Sequence, residues 1–214
     1  MSDHIKIAPS ILSADRKKLQ EEVEGIERYS DLLHIDIMDA KFVPPRTFSA
    51  DEIKDIKTKL PLDVHLMVDY PIKEGYIRDY KGAGIITIHE ECKDDIDEAI
   101  TLIKKGRSKA GISIKPATPL ESIRDYLDMV DMVLVMSVEP GYSGQKFIPD
   151  VLDKAKELRK IKPGMDIEID GGINKDTICM AARAGVNIFV AASAIFGQKD
   201  RVKAIKELRS AANG

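Results

Sequence analysis

Short apolar runs rich in β-branched residues alternate with charged segments of helical periodicity along the whole chain. Near-continuous apolar runs of this length are typical of strands that are buried on both faces of a parallel sheet. Repeated strand–helix–strand units connect parallel neighbours, so the pattern predicts an α/β fold with one parallel sheet. The predicted strands are residues 5–12, 32–38, 62–68, 85–90, 109–115, 132–138, 166–170 and 187–191.

Several residues between these runs are typical of helix boundaries. Asp51, Asp94 and Asn174 are predicted helix N-caps, because their side chains can accept hydrogen bonds from the first free N–H groups of a helix. Gly106 and Gly185 are predicted helix ends, and each is followed by the next strand. The clearest helical periodicity is found in DRKKLQEEVEGIERY, DDIDEAITLIKKG, VLDKAKELRKI and DRVKAIKELRSAA.

Eight strand and helix units predict closure into a (β/α)8 barrel, since a closed sheet of this size has no exposed edge. An open doubly wound sheet is the alternative, because periodicity alone does not show closure. The chain has 214 residues, of which 43% are hydrophobic. This is enough for one substantial core, and we expect residues 1–214 to form a single domain.

Composition argues against several classes of protein. The net charge is −3, from 33 basic and 36 acidic residues spread along the chain, so we expect no nucleic-acid partner. Cys92 and Cys179 cannot build a disulfide framework, and neither lies in a CxxC motif, which is typical of free thiols in a reducing compartment. No segment reaches the roughly 20 apolar residues needed to span a bilayer. The sequence predicts a soluble, cytoplasmic protein without a membrane partner.

Four possible metal ligands lie near the ends of three predicted strands: His34, Asp36, His65 and Asp170. Residues two apart on a strand point to the same face, so His34 and Asp36 should point together. In a closed parallel sheet the four groups would converge into a possible first shell for a divalent transition metal. Taken singly, each histidine could be a hydrogen-bonded core residue, and Asp170 could open a turn at the glycines that follow it.

The two longest irregular segments are AKFVPPRTFSA and EPGYSGQKFIP, which follow the second and sixth predicted strands. Loops at the carboxyl ends of strands build the active sites of α/β barrels. Their length therefore indicates a functional site at that end of the barrel.

Seven blocks occur in a fixed order over most of the chain: IAPSILSAD, LLHIDIMDAKFVP, LDVHLMV, IKPATP, VMSVEPGYSGQKFIP, IEIDGGI and VAASAIF. In this order and at these spacings, the chain closely resembles the ribulose-phosphate 3-epimerase family. The resemblance implies a phosphosugar-binding TIM barrel that interconverts D-ribulose 5-phosphate and D-xylulose 5-phosphate. It also implies one divalent metal per chain, and oligomers are common in the family. Two imidazoles and two carboxylates are compatible with Zn²⁺, Fe²⁺, Mn²⁺ or Co²⁺.

Site residues follow from the resemblance. His34, Asp36, His65 and Asp170 match the metal ligands, and Asp36 and Asp170 also match the acid and base pair. Ser10 matches a substrate-contacting serine, and three methionines match residues near the reacting carbon. The implied substrate contacts are Ser10, His65, Met38, Met67, Met136, Gly141, Tyr142, Ser143, Gly144, Gly171, Gly172, Ala192 and Ser193.

Some of these residues also have ordinary explanations. The methionines could be barrel-core fillers, and the glycines could be plain turn residues. In the functional interpretation, the methionines form a dry wall beside the reacting carbon. Backbone N–H groups of the glycine segments and of residues 192 and 193 would hold the phosphate.

Five positions depart from the common pattern of the family. Ala40, Ser143 and Ala192 stand where glycine is usual, Lys41 where histidine is usual, and Pro45 where asparagine is usual. We expect Ala192 to matter most, because its methyl group would be costly near the phosphate if that position needed a positive φ.

Three other functions are compatible with parts of the sequence. A 3-epimerase of a six-carbon ketose phosphate, such as allulose 6-phosphate, would keep the metal site and change only the pocket. An aldolase or decarboxylase would need a further central lysine, and Lys115 is the only candidate at a strand end. A non-catalytic phosphosugar-binding barrel would not need all four ligands.

Overall fold

A computed structural model describes residues 5–214, and eight parallel strands form one sheet within that range. The strand bounds lie close to the predicted ones. They are β1 Lys6–Pro9, β2 Leu33–Met38, β3 Leu62–Met67, β4 Ile85–His89, β5 Lys109–Ile114, β6 Met132–Met136, β7 Asp166–Asp170 and β8 Ile188–Ala191.

The sheet curls into a nearly closed barrel. The strands lie side by side in the order β1, β8, β7, β6, β5, β4, β3, β2, and every neighbouring pair is parallel. At the seam, Ser10 pairs in parallel with His34, and the Asp31 N–H donates to the Ile7 carbonyl at 3.0 Å. The predicted (β/α)8 barrel is therefore confirmed, and the open sheet is not found.

Helices cover the outside of the barrel. Most connections contain an α-helix, but the segment after β5 forms a 3₁₀ helix instead, Leu120–Tyr126. The α-helices are α1 Leu19–Ile26, α2 Ala50–Lys54, α3 Tyr76–Asp79, α4 Ile96–Lys105, α5 Leu152–Ile161, α6 Lys175–Arg183, α7 Ser193–Phe196 and α8 Arg201–Asn213. Among the described residues, no helix is long and apolar enough to cross a membrane.

The predicted N-cap of α2 was wrong. Ser49, not Asp51, caps this helix in a capping box, in which its side chain accepts from the Glu52 N–H while Glu52 reaches back to the Ser49 N–H. Asp51 lies in the first turn instead. The spacing of serine and glutamate was the signal that identifies this cap.

The predicted N-cap of α4 was also one residue early. Asp95 accepts from the Glu98 N–H and caps the helix. The Asp94 carboxylate instead accepts from the N–H groups of Ile72 and Lys73, in the loop between β3 and α3, at 2.7 and 3.0 Å. Asn174 is confirmed as the N-cap of α6, as are Gly106 and Gly185 as helix ends, Gly185 lying just past α6 with a φ of 98°.

The first predicted strand extended too far. It ends at Pro9 rather than at residue 12, because the Ser10 hydroxyl accepts from the Leu12 N–H and starts a 3₁₀ turn, Ile11–Ser13. This turn ends the strand below the mouth of the barrel and leaves Ser10 at the start of a loop.

The two faces of the sheet have different chemistry. Outward residues such as Ile35 and Ile167 join the main apolar core under the helices. The inward face is apolar at the bottom, where Ala8, Met132 and Ile188 meet. Nearer the carboxyl ends of the strands the interior becomes polar. Its buried polar side chains include Ser10, His34, Asp36, Asp63, His65, Thr87, His89, Ser113 and Glu168.

Candidate active site

The barrel brings the four predicted ligands together at the carboxyl ends of the strands. His34 and Asp36 point inward from β2, and Asp36 lies beside His65 in the register of β2 and β3. Asp170 ends β7, beside Met136 of β6. One ligand atom from each residue lies within 4.8 Å of the others.

The distances within this group suit a small metal ion. Asp36 Oδ1 lies 3.4 Å from His34 Nε2 and 3.3 Å from His65 Nδ1, and Asp170 Oδ2 lies 3.9 Å from His65 Nδ1. Ligands at about 2.1 Å from a tetrahedral metal are separated by about 3.4 Å. His34 Nε2 is buried and has no hydrogen-bond partner among the described residues. A buried nitrogen without a partner, facing two carboxylates and a second imidazole, fits a metal ligand.

A layer of buried groups supports the ligands from below. His34 Nδ1 lies 2.7 Å from Asp63 Oδ2, and Glu168 lies 3.7 Å from the same nitrogen. Asp63 therefore accepts the Nδ1 proton and leaves Nε2 of His34 facing the site. His65 has a comparable outer partner in His89, whose other nitrogen contacts Glu91.

Four residues of this layer were not predicted from the sequence to be functional: Asp63, Glu168, His89 and Glu91. The signal for the first two was present, because Asp63 lies two residues before His65 and Glu168 two before Asp170, on the inward face of the same strands. His89 ends β4 at the same level as the other strand ends. Glu91 lies beyond the strand, and no pattern in the sequence points to its contact with His89.

The carboxyl groups of the site differ in acidity. Burial raises the pKa of Asp170 to about 6, and the nearby Asp36 carboxylate adds to the rise. Burial would also raise the pKa of Asp36, but His34 and His65 outweigh it and lower that pKa. Burial and the Asp63 carboxylate raise the pKa of Glu168 well above its ordinary value. Burial and the neighbouring charges thus separate one carboxyl group of lowered pKa, Asp36, from two of raised pKa, Asp170 and Glu168.

The imidazoles also differ. Burial disfavours the charged form of His34, yet the Asp63 and Asp36 carboxylates prevail and raise its pKa well above the ordinary value. Burial lowers the pKa of His89 to about 4, against the opposing effect of Glu91. His89 is therefore a neutral imidazole at physiological pH.

A cavity of about 340 Å³ opens above these groups. Asp36 and Asp170 line its floor, and the predicted substrate contacts other than His65 line its walls. His65 lies beneath the floor, fully buried. The residues from the sequence analysis on this cavity are Ser10, Asp36, Met38, Met67, Met136, Gly141, Tyr142, Ser143, Gly144, Asp170, Gly171, Gly172, Ala192 and Ser193.

Two alanines that stand where the family usually has glycine, Ala40 and Ala192, differ in backbone conformation. Ala192 has a φ of −103°, so the expected cost of a positive φ does not arise there. Ala40 does have a positive φ, of 64°. The positive φ on which the expected cost at Ala192 depended is not present, and Ala40 is the alanine with the strained backbone.

Comparisons with known proteins agree with this architecture. The model of the ribulose-phosphate 3 epimerase family matches residues 6–196. The chain is 44% identical to ribulose-phosphate 3-epimerase of Bacillus subtilis, over 96% of this chain and 98% of that protein. It is 42% identical to the Escherichia coli K12 protein of the same name, over 95% and 94% of the two chains. A solved structure of 3-hexulose-6-phosphate synthase shares the fold, with a TM-score of 0.72, 17% identity and coverage of 97% and 99%.

Proposed function

Because this chain belongs to the ribulose-phosphate 3-epimerase family, we propose that it interconverts D-ribulose 5-phosphate and D-xylulose 5-phosphate. The observation that carries the proposal is the pair of carboxylates, Asp36 and Asp170, on the floor of one cavity. They come from β2 and β7, and their oxygens belong to a group of atoms within 4.8 Å of one another.

The reaction needs two proton-transfer groups. The C3 proton lies next to a carbonyl group, and inversion requires its removal from one face of the carbon and its return to the other. Asp36 and Asp170 come from β2 and β7, which are far apart in sequence and are separated around the barrel by β1 and β8. They serve as this pair, one starting as base and the other as acid. The Ser10 hydroxyl donates to Asp36 Oδ2 at 2.5 Å and orients that carboxylate.

His34, Asp36, His65 and Asp170 would hold the divalent metal. When bound, a divalent metal stabilises negative charge on substrate oxygens by several kcal/mol. Two imidazoles and two carboxylates suit Zn²⁺, Fe²⁺, Mn²⁺ or Co²⁺, and we propose one such ion per chain.

The remaining cavity residues position the substrate. Met38, Met67 and Met136 form an apolar wall that limits water near the reacting carbon. The phosphate binds to backbone N–H groups of residues 141–144, 171–172 and 192–193, which line the same cavity.

Features outside the site support further parts of this proposal. We infer that residues 1–214 form a single domain, because one sheet organises the described part of the chain. The free thiols of Cys92 and Cys179 support a cytoplasmic location. A homo-oligomer is proposed from the family resemblance. Lys115 does not line the cavity shared by Asp36 and Asp170, and its ammonium lies instead 4.0 Å from the centroid of the Phe42 ring. This position disfavours an aldolase or decarboxylase with that lysine as its central group.

Steady-state kinetics on two substrates tests the proposal. We expect a higher kcat/KM for ribulose 5-phosphate than for allulose 6-phosphate, and product analysis should show xylulose 5-phosphate. A preference for the six-carbon substrate would replace the proposed substrate while leaving the chemistry intact. Binding of both sugars without turnover would favour a non-catalytic binding barrel.

A further inference from the structure

A line of hydrogen-bonded side chains runs from His65 away from the cavity, through His89, to Glu91. We propose that His89 and Glu91 are positioning residues that fix the tautomer of His65, so that its Nδ1 lone pair faces the metal. The inference rests on the metal site of the proposed function and extends it to residues outside the ligand set.

His65 presents its two nitrogens to different surroundings. Nδ1 lies 3.3 Å from Asp36 and 3.9 Å from Asp170, on the ligand side. Nε2 lies 2.8 Å from Nε2 of His89, and the two rings meet edge to edge, with centroids 5.0 Å apart and planes inclined by 25°. Both histidines are fully buried. Two nitrogens at 2.8 Å share one proton, so one ring must donate and the other must accept.

Glu91 decides which ring donates. Its Oε2 lies 2.9 Å from Nδ1 of His89. Its other oxygen accepts from the Lys115 N–H at 2.9 Å and from the Thr118 hydroxyl. A carboxylate accepts hydrogen bonds only, so His89 carries its proton on Nδ1. His89 is fully buried, and its Nε2 faces a second imidazole and not a carboxylate, so the geometry provides for one proton, on Nδ1. Nε2 of His89 then accepts, His65 donates from Nε2, and Nδ1 of His65 keeps its lone pair.

The other imidazole of the site, His34, faces the ligand group with Nε2, whereas His65 faces it with Nδ1. His34 has Nδ1 against Asp63 at 2.7 Å and presents Nε2 to Asp36. The two ligating histidines thus offer different nitrogens, each set by its own outer partner. Such outer partners typically change metal affinity by about 10–100-fold when removed.

The variant Glu91→Gln should reverse the direction of the hydrogen bonds along His65, His89 and residue 91, because glutamine has nearly the same size as glutamate but can donate. The amide oxygen must face the Lys115 N–H and the Thr118 hydroxyl, since both donate. The amide nitrogen then faces His89 as a donor, and His89 must move its proton to Nε2. His65 is left to carry its own proton on Nδ1, where the metal should bind. We expect the dissociation constant for Zn²⁺, measured by competition with a chromophoric chelator, to rise about 10–100-fold.

Glu90→Gln is the matched control. Glu90 is the neighbouring acid, and its Oε2 is buried without a hydrogen-bond partner among the described residues. We expect this variant to bind Zn²⁺ as the wild type does. Equal affinity of the wild type and Glu91→Gln would overturn the proposal, as would an equal loss in both variants.

Long-range ¹H–¹⁵N spectra of the histidine rings test the tautomers in the wild-type protein. Before and after addition of Zn²⁺, we expect the proton of His89 on Nδ1 and that of His65 on Nε2. A proton on Nε2 of His89, or on both of its nitrogens, would overturn the proposal. Failure of the wild type to bind Zn²⁺ would contradict the metal site of the proposed function, whereas the tautomers of the metal-free protein would still decide the role of His89 and Glu91.

Discussion

At the residue scale, the backbone of Ala40 is held in a conformation that alanine disfavours. Its φ is 64°, and Arg107, at 67°, is the only other non-glycine residue with a positive φ within residues 5–214. The turn around Ala40 is fixed by Asp39, whose carboxylate accepts from the N–H groups of Lys41, Phe42 and Asp69. These hydrogen bonds keep Ala40 strained at the loop that follows β2.

Replacing Ala40 with glycine should therefore stabilise the protein. A left-handed conformation costs an L-residue about 1–2 kcal/mol, and glycine loses about 0.4–1 kcal/mol through the greater freedom of its unfolded chain. The net gain should be about 0.5–1 kcal/mol, or roughly 1–4 °C in Tm. Ala117→Gly is the control, since Ala117 is not at positive φ, and it should lower the Tm. A lower Tm for Ala40→Gly would contradict the strain argument.

At Ala192, in contrast to Ala40, we expect no benefit from replacement by glycine. At a φ of −103° its methyl group does not carry the cost of a left-handed backbone. Ala192→Gly should therefore leave KM for ribulose 5-phosphate unchanged or slightly higher, with the metal content unaltered. Steady-state kinetics with metal analysis checks this, and a several-fold fall in KM would show that the methyl group crowds the phosphate.

At the element scale, the apolar runs predicted all the strands, because each strand is buried on both faces and its composition shows it directly. The ends of elements were less well predicted. They depend on single hydrogen bonds, such as that from the Leu12 N–H to Ser10, which ends β1 early. Adjacent candidates such as Asp94 and Asp95 are equivalent in sequence, and only the fold gives Asp94 another partner.

Two substitutions test which residue caps α2, Ser49 or Asp51. Ser49→Ala removes the capping box and should destabilise the protein by about 0.5–2 kcal/mol. Asp51→Ala removes a charge near the helix N-terminus and its exposed ion pair with Lys54, and should cost less, about 0.3–1 kcal/mol. Urea unfolding measures both, and a larger loss for Asp51→Ala would show that the capping assignment is wrong.

At the scale of the whole molecule, barrel closure brings together groups that are far apart in the chain. His34, His65 and Asp170 belong to three strands, and the predicted fold was sufficient to expect them to meet. The outer partners were not predicted in the same way. The contact between Glu91 and His89 depends on how the loop after β4 folds against Lys115 and Thr118. Side chains beyond strand ends carry no periodic signal, so only the structure shows them.

Metal binding should stabilise the whole barrel. A ligand at about 100 times its dissociation constant adds about 2.7 kcal/mol to the free energy of unfolding. For a chain of this size that is roughly 5–10 °C in Tm. We expect Zn²⁺ to give such a shift in the wild type and chelation to reverse it. His65→Ala should lose most of the shift, and an undiminished shift in that variant would remove His65 from the site.

In the proposed mechanism, Asp36 and Asp170 exchange the C3 proton of ribulose 5-phosphate from opposite faces. ¹H NMR in D₂O tests it most directly, by following deuterium incorporation at C3 together with the appearance of xylulose 5-phosphate. The wild-type protein should show both, and Asp36→Asn and Asp170→Asn should each abolish epimerisation, with metal content measured in every sample. Near-normal epimerisation by either variant, or product formed without deuterium at C3, would contradict the two-carboxylate mechanism.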